Sequence, residues 1–183
     1  MKVLLDANVL YPNVMRDMLL GVAQSGAFIP VWSPRILEEW ARAAAKLGQA
    51  EAVQARGEIT LLNARWPKAN ISYDPHLETR LWLPDRHDVH VLAAAIASHA
   101  DAILTMNAKD FPKHILAEDG LQRLDPDGFL CDLYLQHPDA VMETAQGVLE
   151  EAQRLSGEDW TIRKLMKKAR LPRLGRALES YSS

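Results

Sequence analysis

Short apolar runs that end in polar side chains alternate along this chain with amphipathic helical patterns. Residues 2–5 and 102–105 are runs of the kind that form buried strands, and Asp6 and Asn107 come just after them. Helical spacing of apolar residues fills most of the interval, and residues 69–73 are a further candidate strand. Because strands that alternate with helices build parallel sheets, the sequence predicts an α/β fold with a central, mainly parallel sheet flanked by helices.

The clearest helix start within this pattern is Ser33-Pro34. Serine is a favoured N-cap residue, and proline is well suited to the first helical position. The sequence also predicts that Trp32, Trp40 and Trp82 lie in the core and do not act as platforms for substrate.

The chain after residue 125 has a different pattern, because two segments with helical spacing of apolar residues follow each other there without an intervening strand. With 183 residues the chain is expected to form one domain with an appendage. We therefore predict an α/β domain over residues 1–125 and a helical C-terminal extension over residues 126–183. The net charge is −3, yet residues 161–183 hold seven Lys and Arg residues against Glu179, so the extension has a basic end.

Several classes of protein are excluded by simple features of the sequence. Cys131 is the only cysteine, so an internal disulfide and a zinc site built on cysteines are both excluded. The first six residues already contain two charges and no cleavage pattern follows, which argues against a signal peptide. The most apolar run, residues 91–97, is much shorter than the ~20 residues of a membrane span. A cytoplasmic location is expected.

Acidic residues cluster at the ends of the predicted strands. Asp6 follows the first strand, Asp110 follows the strand at 102–105, and Asp85 and Asp88 precede the helix that leads into that strand. Functional crevices of parallel sheets lie beyond the carboxyl ends of their strands. Carboxylates gathered there would repel one another unless a cation neutralised them, and ligand sets made of oxygen alone suit Mg²⁺ or Mn²⁺.

Two of these assignments stay open when only the residues are considered. Asp85 and Asp88 form an Asp-x-x-Asp pattern that could simply cap a helix, although Asp88 lies above the apolar stripe of that helix. Glu38 and Glu39 lie about equally far from the apolar face of their helix, so periodicity cannot choose between them.

Four segments in this order resemble the PIN-domain family of metal-dependent nucleases, especially its VapC-like toxins. No single segment is decisive, but the combination is specific and the resemblance covers residues 2 to about 130. The segments are Leu4-Leu5-Asp6-Ala7-Asn8-Val9-Leu10, Trp32 to Trp40, Asp85 to Ala95, and Ala100 to Pro112.

The resemblance implies a PIN-like fold and an acidic pocket that binds Mg²⁺ or Mn²⁺. The first family aspartate falls on Asp6, the expected central ligand, and the family glutamate falls on Glu39 because it precedes an apolar residue. The third acid falls on Asp85 or Asp88, of which Asp88 is favoured. The last acidic position falls on the segment of Asn107 and Asp110. The predicted catalytic and metal-binding residues are thus Asp6, Glu39, Asp88 and Asp110, with Asp85 as a further candidate metal ligand and Asn8 and Asn107 in support.

This sequence departs from the commoner family pattern in two places. Asn107 stands where many relatives have an aspartate, so Asp110 is the candidate to supply that charge. His90 stands where shorter relatives have an acid before the alanine run. Both departures leave the number of bound metal ions open, and neither removes the acidic cluster.

The resemblance implies a metal-dependent endoribonuclease, the toxin of a type II toxin–antitoxin pair, with an antitoxin partner and a homodimeric state. Basic residues near the C-terminus are candidate contacts to RNA phosphates or merely solvated charges: Arg163, Lys164, Lys167 and Lys168. One alternative is a PIN-like domain without catalytic activity that binds RNA or protein. A phosphatase of the haloacid-dehalogenase type is disfavoured, because that chemistry usually needs an aspartate at the position of Asn8.

Overall fold

The computed structural model describes residues 1–181. The strands within this range are β1 (Lys2–Leu5), β2 (Ile29–Val31), β3 (Ala102–Leu104) and β4 (Gln122–Leu124). The α-helices are α1 (Ala7–Leu10), α2 (Asn13–Gln24), α3 (Pro34–Ala45), α4 (Gln49–Arg65), α5 (Val89–Ala97), α6 (Lys113–Glu118), α7 (Pro126–Gln136), α8 (Pro138–Ser156), α9 (Ile162–Lys168) and α10 (Pro172–Tyr181). Two 3₁₀ helices span Pro75–Arg80 and Arg86–Asp88.

The four strands form one parallel sheet in the order β2-β1-β3-β4. In the centre of the sheet, Leu5 at the end of β1 pairs with Leu104 at the end of β3. Leu104 also pairs with Leu124 at the end of β4, so these three strands end together at one edge. The predicted α/β fold with a central parallel sheet and flanking helices is confirmed.

Contacts along the chain define two compact units. The first contains residues 1–11 and 29–124, and therefore the whole sheet. The second contains residues 12–28 together with the chain from residue 125 onward, so that α2 groups with the C-terminal helices. The division into domains at residue 125 stays a prediction.

Helix capping determines where α3 begins, as the sequence predicted. The Ser33 side chain accepts a hydrogen bond from the backbone N–H of Ile36 at 3.2 Å, and Pro34 occupies the first turn. The side chains of Ile36 and Trp40 are both buried, so α3 packs its apolar face into the core of the first unit. The orientation of α3 is therefore fixed at both its start and its middle.

Packing of side chains from separate segments builds the second unit. The rings of Phe28 and Phe129 meet edge to face, with centroids 5.0 Å apart. The buried Asp127 carboxylate accepts backbone hydrogen bonds from Arg173 and Leu174, both at 2.9 Å, and so caps the start of α10. The chain from Pro126 to Tyr181 forms helices α7 to α10, as the sequence predicted, and residues 182–183 of the predicted extension lie outside the described residues.

Two local predictions are wrong. Residues 69–73 do not form a strand, because only Asn70 pairs, in an isolated bridge with Trp32. Trp82 is not in the core but 65% exposed, whereas Trp32 and Trp40 are buried as predicted. No helix in the described part of the chain combines the length and apolar character that a membrane span requires.

Candidate metal-binding active site

Asp6 is positioned by the junction between β1 and α1. It follows the last residue of β1, and its own backbone N–H donates to the carbonyl of Leu104 at 3.1 Å. Its Oδ1 accepts a hydrogen bond from the N–H of Ala7 at 2.7 Å, which caps α1. The side chain is buried at the carboxyl edge of the sheet, where a carboxylate is costly unless it is hydrogen-bonded or neutralised.

Asn8 and Thr105 complete the hydrogen bonding of Asp6. The Oδ2 of Asp6 accepts from the Asn8 amide at 2.6 Å and from the Thr105 hydroxyl at 2.7 Å. Asn8 also accepts from the backbone N–H of Met106 at 3.0 Å. This network joins the ends of β1 and β3 and holds the Asp6 carboxylate in one orientation.

Asp85 and Asp88 lie at the two ends of the 3₁₀ helix that precedes α5. Asp85 caps this helix, since its Oδ1 accepts from the backbone N–H of His87 at 2.8 Å. Hydrogen bonds from the backbone and imidazole of His87 lower the pKa of Asp85. Asp88 makes no side-chain capping bond to α5. Helix capping thus accounts for Asp85 and leaves Asp88 without that role.

Asn107 connects two of the acidic residues. Its side-chain amide donates to Asp110 Oδ2 at 2.8 Å and to Asp88 Oδ2 at 3.2 Å. Its Oδ1 accepts from the backbone N–H of Asp110 at 3.3 Å, and its own N–H donates to Thr105 Oγ1 at 3.0 Å. The loop after β3 is therefore tied both to the acidic residues and to the network around Asp6.

Among the described residues, the carboxylates of Asp85, Asp88 and Asp110 are close enough to share one ion: one oxygen from each lies within 4.8 Å of the other two. The pKa of Asp88 is raised to about 6, first by its partial burial and then by repulsion from the neighbouring carboxylates. Those neighbours are Asp6, Asp85, Asp110 and Glu39. Acidic residues that are distant in sequence thus act on one another at a single place.

Glu39 projects from α3 toward a buried histidine. Its Oε1 lies 2.7 Å from Nε2 of His90, within ion-pair distance. The His90 ring is completely buried, and neither ring nitrogen has a hydrogen-bond partner among the described residues. Glu38, by contrast, forms exposed ion pairs with Arg56 at 2.6 Å and Arg42 at 3.2 Å. The structure therefore separates the two glutamates that periodicity could not distinguish.

Burial raises the pKa of Asp6, and repulsion from Glu39 adds to that effect, while hydrogen bonds from Thr105 and Ala7 oppose it. Three carboxylates thus lie in the group that can share an ion, and Asp6 and Glu39 border it. The donor set is made of oxygens alone and concentrates negative charge. It fits a hard cation such as Mg²⁺ or Mn²⁺.

Two contributors to this site lack a role in the sequence-based assignment. The sequence alone identifies Thr105 only as the end of a strand, although a polar residue in an otherwise apolar run is a signal in itself. It identifies His90 only as a departure from the family pattern. Its contact with Glu39 depends on the packing of α5 near α3, which sequence spacing does not encode.

The predicted RNA-contacting residues lie in the second unit, all of them on α9. The Lys168 ammonium lies 4.6 Å from the centre of the Trp160 ring, and Arg163 pairs with Glu179 at 2.7 Å. Lys164 and Lys167 are exposed. Their contact with nucleic acid stays a prediction.

The family model for the PIN domain matches residues 2–109, which is more than half of the chain. This chain belongs to the PIN-domain family. The resemblance predicted from the sequence is therefore confirmed. The matched stretch of the PIN domain contains Asp6, Glu39 and Asp88 and ends one residue before Asp110.

A curated relative of this PIN domain is "Putative ribonuclease VapC50" of Mycobacterium tuberculosis H37Rv. The two sequences are 36% identical over 63 residues, which cover 34% of this chain. The alignment spans only 37% of the relative's length. No solved structure matches the chain.

Proposed function

We propose that this PIN domain is a metal-dependent endoribonuclease that hydrolyses RNA phosphodiester bonds. The observation that carries the proposal is the grouping of Asp85, Asp88 and Asp110, one oxygen of each lying within 4.8 Å of the other two. Partial burial of Asp88, together with repulsion from the neighbouring carboxylates, raises its pKa to about 6. Such crowding of carboxylates destabilises a protein that binds no cation, whereas a bound cation neutralises the repulsion.

Asp85, Asp88 and Asp110 would hold the ion directly, because their oxygens lie within reach of a common point. Asp6 and Glu39 border that group and would bind directly or through water. When bound, Mg²⁺ or Mn²⁺ supplies a water of lowered pKa and stabilises the negative charge of the phosphodiester transition state.

The remaining residues of the site keep these carboxylates in position. Asn107 holds Asp88 and Asp110 through its amide, and Asn8 and Thr105 hold Asp6. Because these hydrogen bonds exist before substrate binds, the protein need not reorganise them during the reaction, and preorganisation of this kind is a major source of catalysis.

RNA as substrate and a toxin–antitoxin role are supported by the similarity to a relative named as a VapC ribonuclease. On this basis we propose that the protein is the toxin of such a pair, that an antitoxin blocks its acidic site, and that it acts in the cytoplasm as a homodimer. Contacts from Arg163, Lys164, Lys167 and Lys168 to RNA phosphates belong to the same proposal.

Cleavage of end-labelled RNA and single-stranded DNA, with Mg²⁺, Mn²⁺ or EDTA, tests the nuclease proposal. We expect cleavage of RNA only with metal, and its loss in Asp6→Asn, which keeps the shape of the side chain but removes its charge. Asp159→Asn is the matched control, because this aspartate is exposed and lies in the second unit.

A catalytically silent domain makes the opposite prediction. It would show no Mn²⁺-dependent cleavage and little stabilisation by the metal. Equal cleavage by the wild type and Asp6→Asn would assign the activity to another site or a contaminant and would refute the proposal.

A further inference from the structure

A cavity of about 420 Å³ opens on the first unit beside the exposed Trp82. Arg80, Leu92, His114 and Glu118 also line it. Its volume is within the range of small-molecule sites and suits a single nucleobase with its sugar. The acidic site described above uses none of these side chains.

Backbone alternation explains why Trp82 faces outward. Leu81 has extended backbone angles, φ −108° and ψ 153°, and the chain continues without helix to Asp85. Side chains of an extended segment point alternately to opposite sides. Because Leu83 is buried, Trp82 is directed to the surface, where it remains 65% exposed. A large aromatic ring is thus held on the surface by a buried neighbour.

Three short stretches of chain connect the lining of the cavity to the acidic site. Trp82 precedes Asp85 by three residues, which limits their Cα separation to about 10 Å. Leu92 lies four residues after Asp88, about 6 Å along α5. His114 likewise follows Asp110 by four residues. Each member of the carboxylate group therefore has a cavity-lining residue close to it in the chain.

We infer that this cavity binds a base of single-stranded RNA next to the phosphodiester bond that is cleaved, with the base stacked on Trp82. The inference rests on the proposed ribonuclease function. Aromatic side chains recognise unstacked bases in single strands through their π-faces, and an arginine can stack on a base in the same way, as Arg80 would here.

The chemistry of the lining favours a nucleobase over the other candidate occupants. Glu118 and Asp119 also line the cavity, and their negative charge disfavours a phosphate inside it. Charged and polar groups of Arg80, His114 and these acids surround the exposed ring, whereas the core of a protein–protein interface is depleted of charge. A neutral, flat and polar-edged group such as a base suits this lining.

The first test compares wild type, Trp82→Ala and Trp82→Phe on a single-stranded RNA oligonucleotide with one cleavage site, in Mn²⁺. Loss of the stacking of one base corresponds to about a 5- to 150-fold change in affinity for the nucleic acid. We expect Trp82→Ala to lower kcat/KM within this range, mainly through KM, and Trp82→Phe to retain most of the activity because it keeps an aromatic face.

The second test places a single abasic nucleotide at each position flanking the cleaved bond in turn. At one position, removing the base should reduce wild-type kcat/KM as much as Trp82→Ala does and should have little further effect in that variant. Such non-additivity is the signature of direct contact between the ring and that base.

Leu61→Ala is the matched control, because this side chain is a large apolar group in the same unit and is 72% exposed. It should leave kcat/KM unchanged, and thermal melting should show that all variants are folded. Absence of metal-dependent cleavage by the wild type would refute the ribonuclease function itself.

The base-binding site alone would be refuted by a different result: the wild type cleaves RNA, Trp82→Ala has the same kcat/KM, and no abasic position lowers the rate. If Trp82→Ala instead weakened inhibition by a protein partner without affecting cleavage, the cavity would be a protein-docking site and the inference would be wrong.

Discussion

Replacing Asp88 by asparagine should stabilise the metal-free protein at neutral and alkaline pH. The pKa of Asp88 rises from its ordinary value of 3.8 to about 6, so keeping this side chain ionised costs folding free energy. A pKa difference of that size corresponds to about 3 kcal/mol of folding free energy. Because the side chain is partly exposed, solvent screening reduces this energy to about 1–2 kcal/mol. The asparagine introduced by Asp88→Asn would keep an oxygen that can accept the Asn107 hydrogen bond.

The pH dependence of this effect has a definite sign. A carboxylate whose pKa is raised by folding binds more protons in the native state than in the unfolded state, so its ionisation lowers stability as pH increases. For Asp88 the loss begins near pH 4 and is complete above its folded pKa of about 6. The stabilisation by Asp88→Asn should therefore be largest at pH 8 and less than about 0.5 kcal/mol at pH 4.

Urea unfolding of both proteins in EDTA, at pH 4 and pH 8, measures the difference in the free energy of unfolding. Repeating the pH 8 series with Mn²⁺ should reverse the order, because wild type gains stability from a bound ion and the variant loses a ligand. Asp159→Asn should stay within about 0.5 kcal/mol of wild type throughout. If Asp88→Asn is less stable than wild type at pH 8 in EDTA, the charge crowding inferred from the structure is wrong.

Two further substitutions test the site and the second unit. Glu39→Gln should lower metal-dependent cleavage about 10- to 100-fold, whereas Glu38→Gln should change it less than twofold, because Glu38 only forms exposed ion pairs. Steady-state kinetics of both variants would measure this difference, and equal losses would contradict the assignment of Glu39 to the site. Asp127→Ala should lower the free energy of unfolding, measured in urea, by about 2–4 kcal/mol, because it leaves two backbone N–H groups at the start of α10 without their charged acceptor. A decrease below about 0.5 kcal/mol would show that this cap contributes little to stability.

The fold was predictable where local signals and hydrophobic patterns agree. Ser33-Pro34 begins α3 as expected, and the apolar runs that form β1 and β3 pair in the centre of the sheet. The failures lie where extended chain runs along the surface. Residues 69–73 resemble a strand but contribute a single bridge, and the burial of Leu83 turns Trp82 outward. The first outcome depends on how far the chain pairs with the sheet edge, and the second depends on which side chain of the extended segment is buried. Composition records neither.

The acidic residues were predictable because the carboxyl ends of parallel strands meet at one edge. Asp6 follows β1 directly and Asp110 lies in the loop after β3, and because the last residues of these strands pair, both lie on the same edge of the sheet. The surroundings of these carboxylates were not predictable in the same way. Thr105 and His90 reach them through side-chain directions that depend on how α5 and β3 are packed. Sequence patterns locate strand ends but do not give those directions.

The asparagine at position 107 changes the electrostatics of the site without removing its capacity to bind a cation. An aspartate there would add another negative charge beside Asp88 and Asp110, whereas the Asn107 amide donates a hydrogen bond to each of them. The amide thus holds the two carboxylates in place, and Asp110 supplies the oxygen that completes the group with Asp85 and Asp88. Three carboxylates thus lie around one point with an asparagine at position 107, and Asp110 is the acidic residue of this loop.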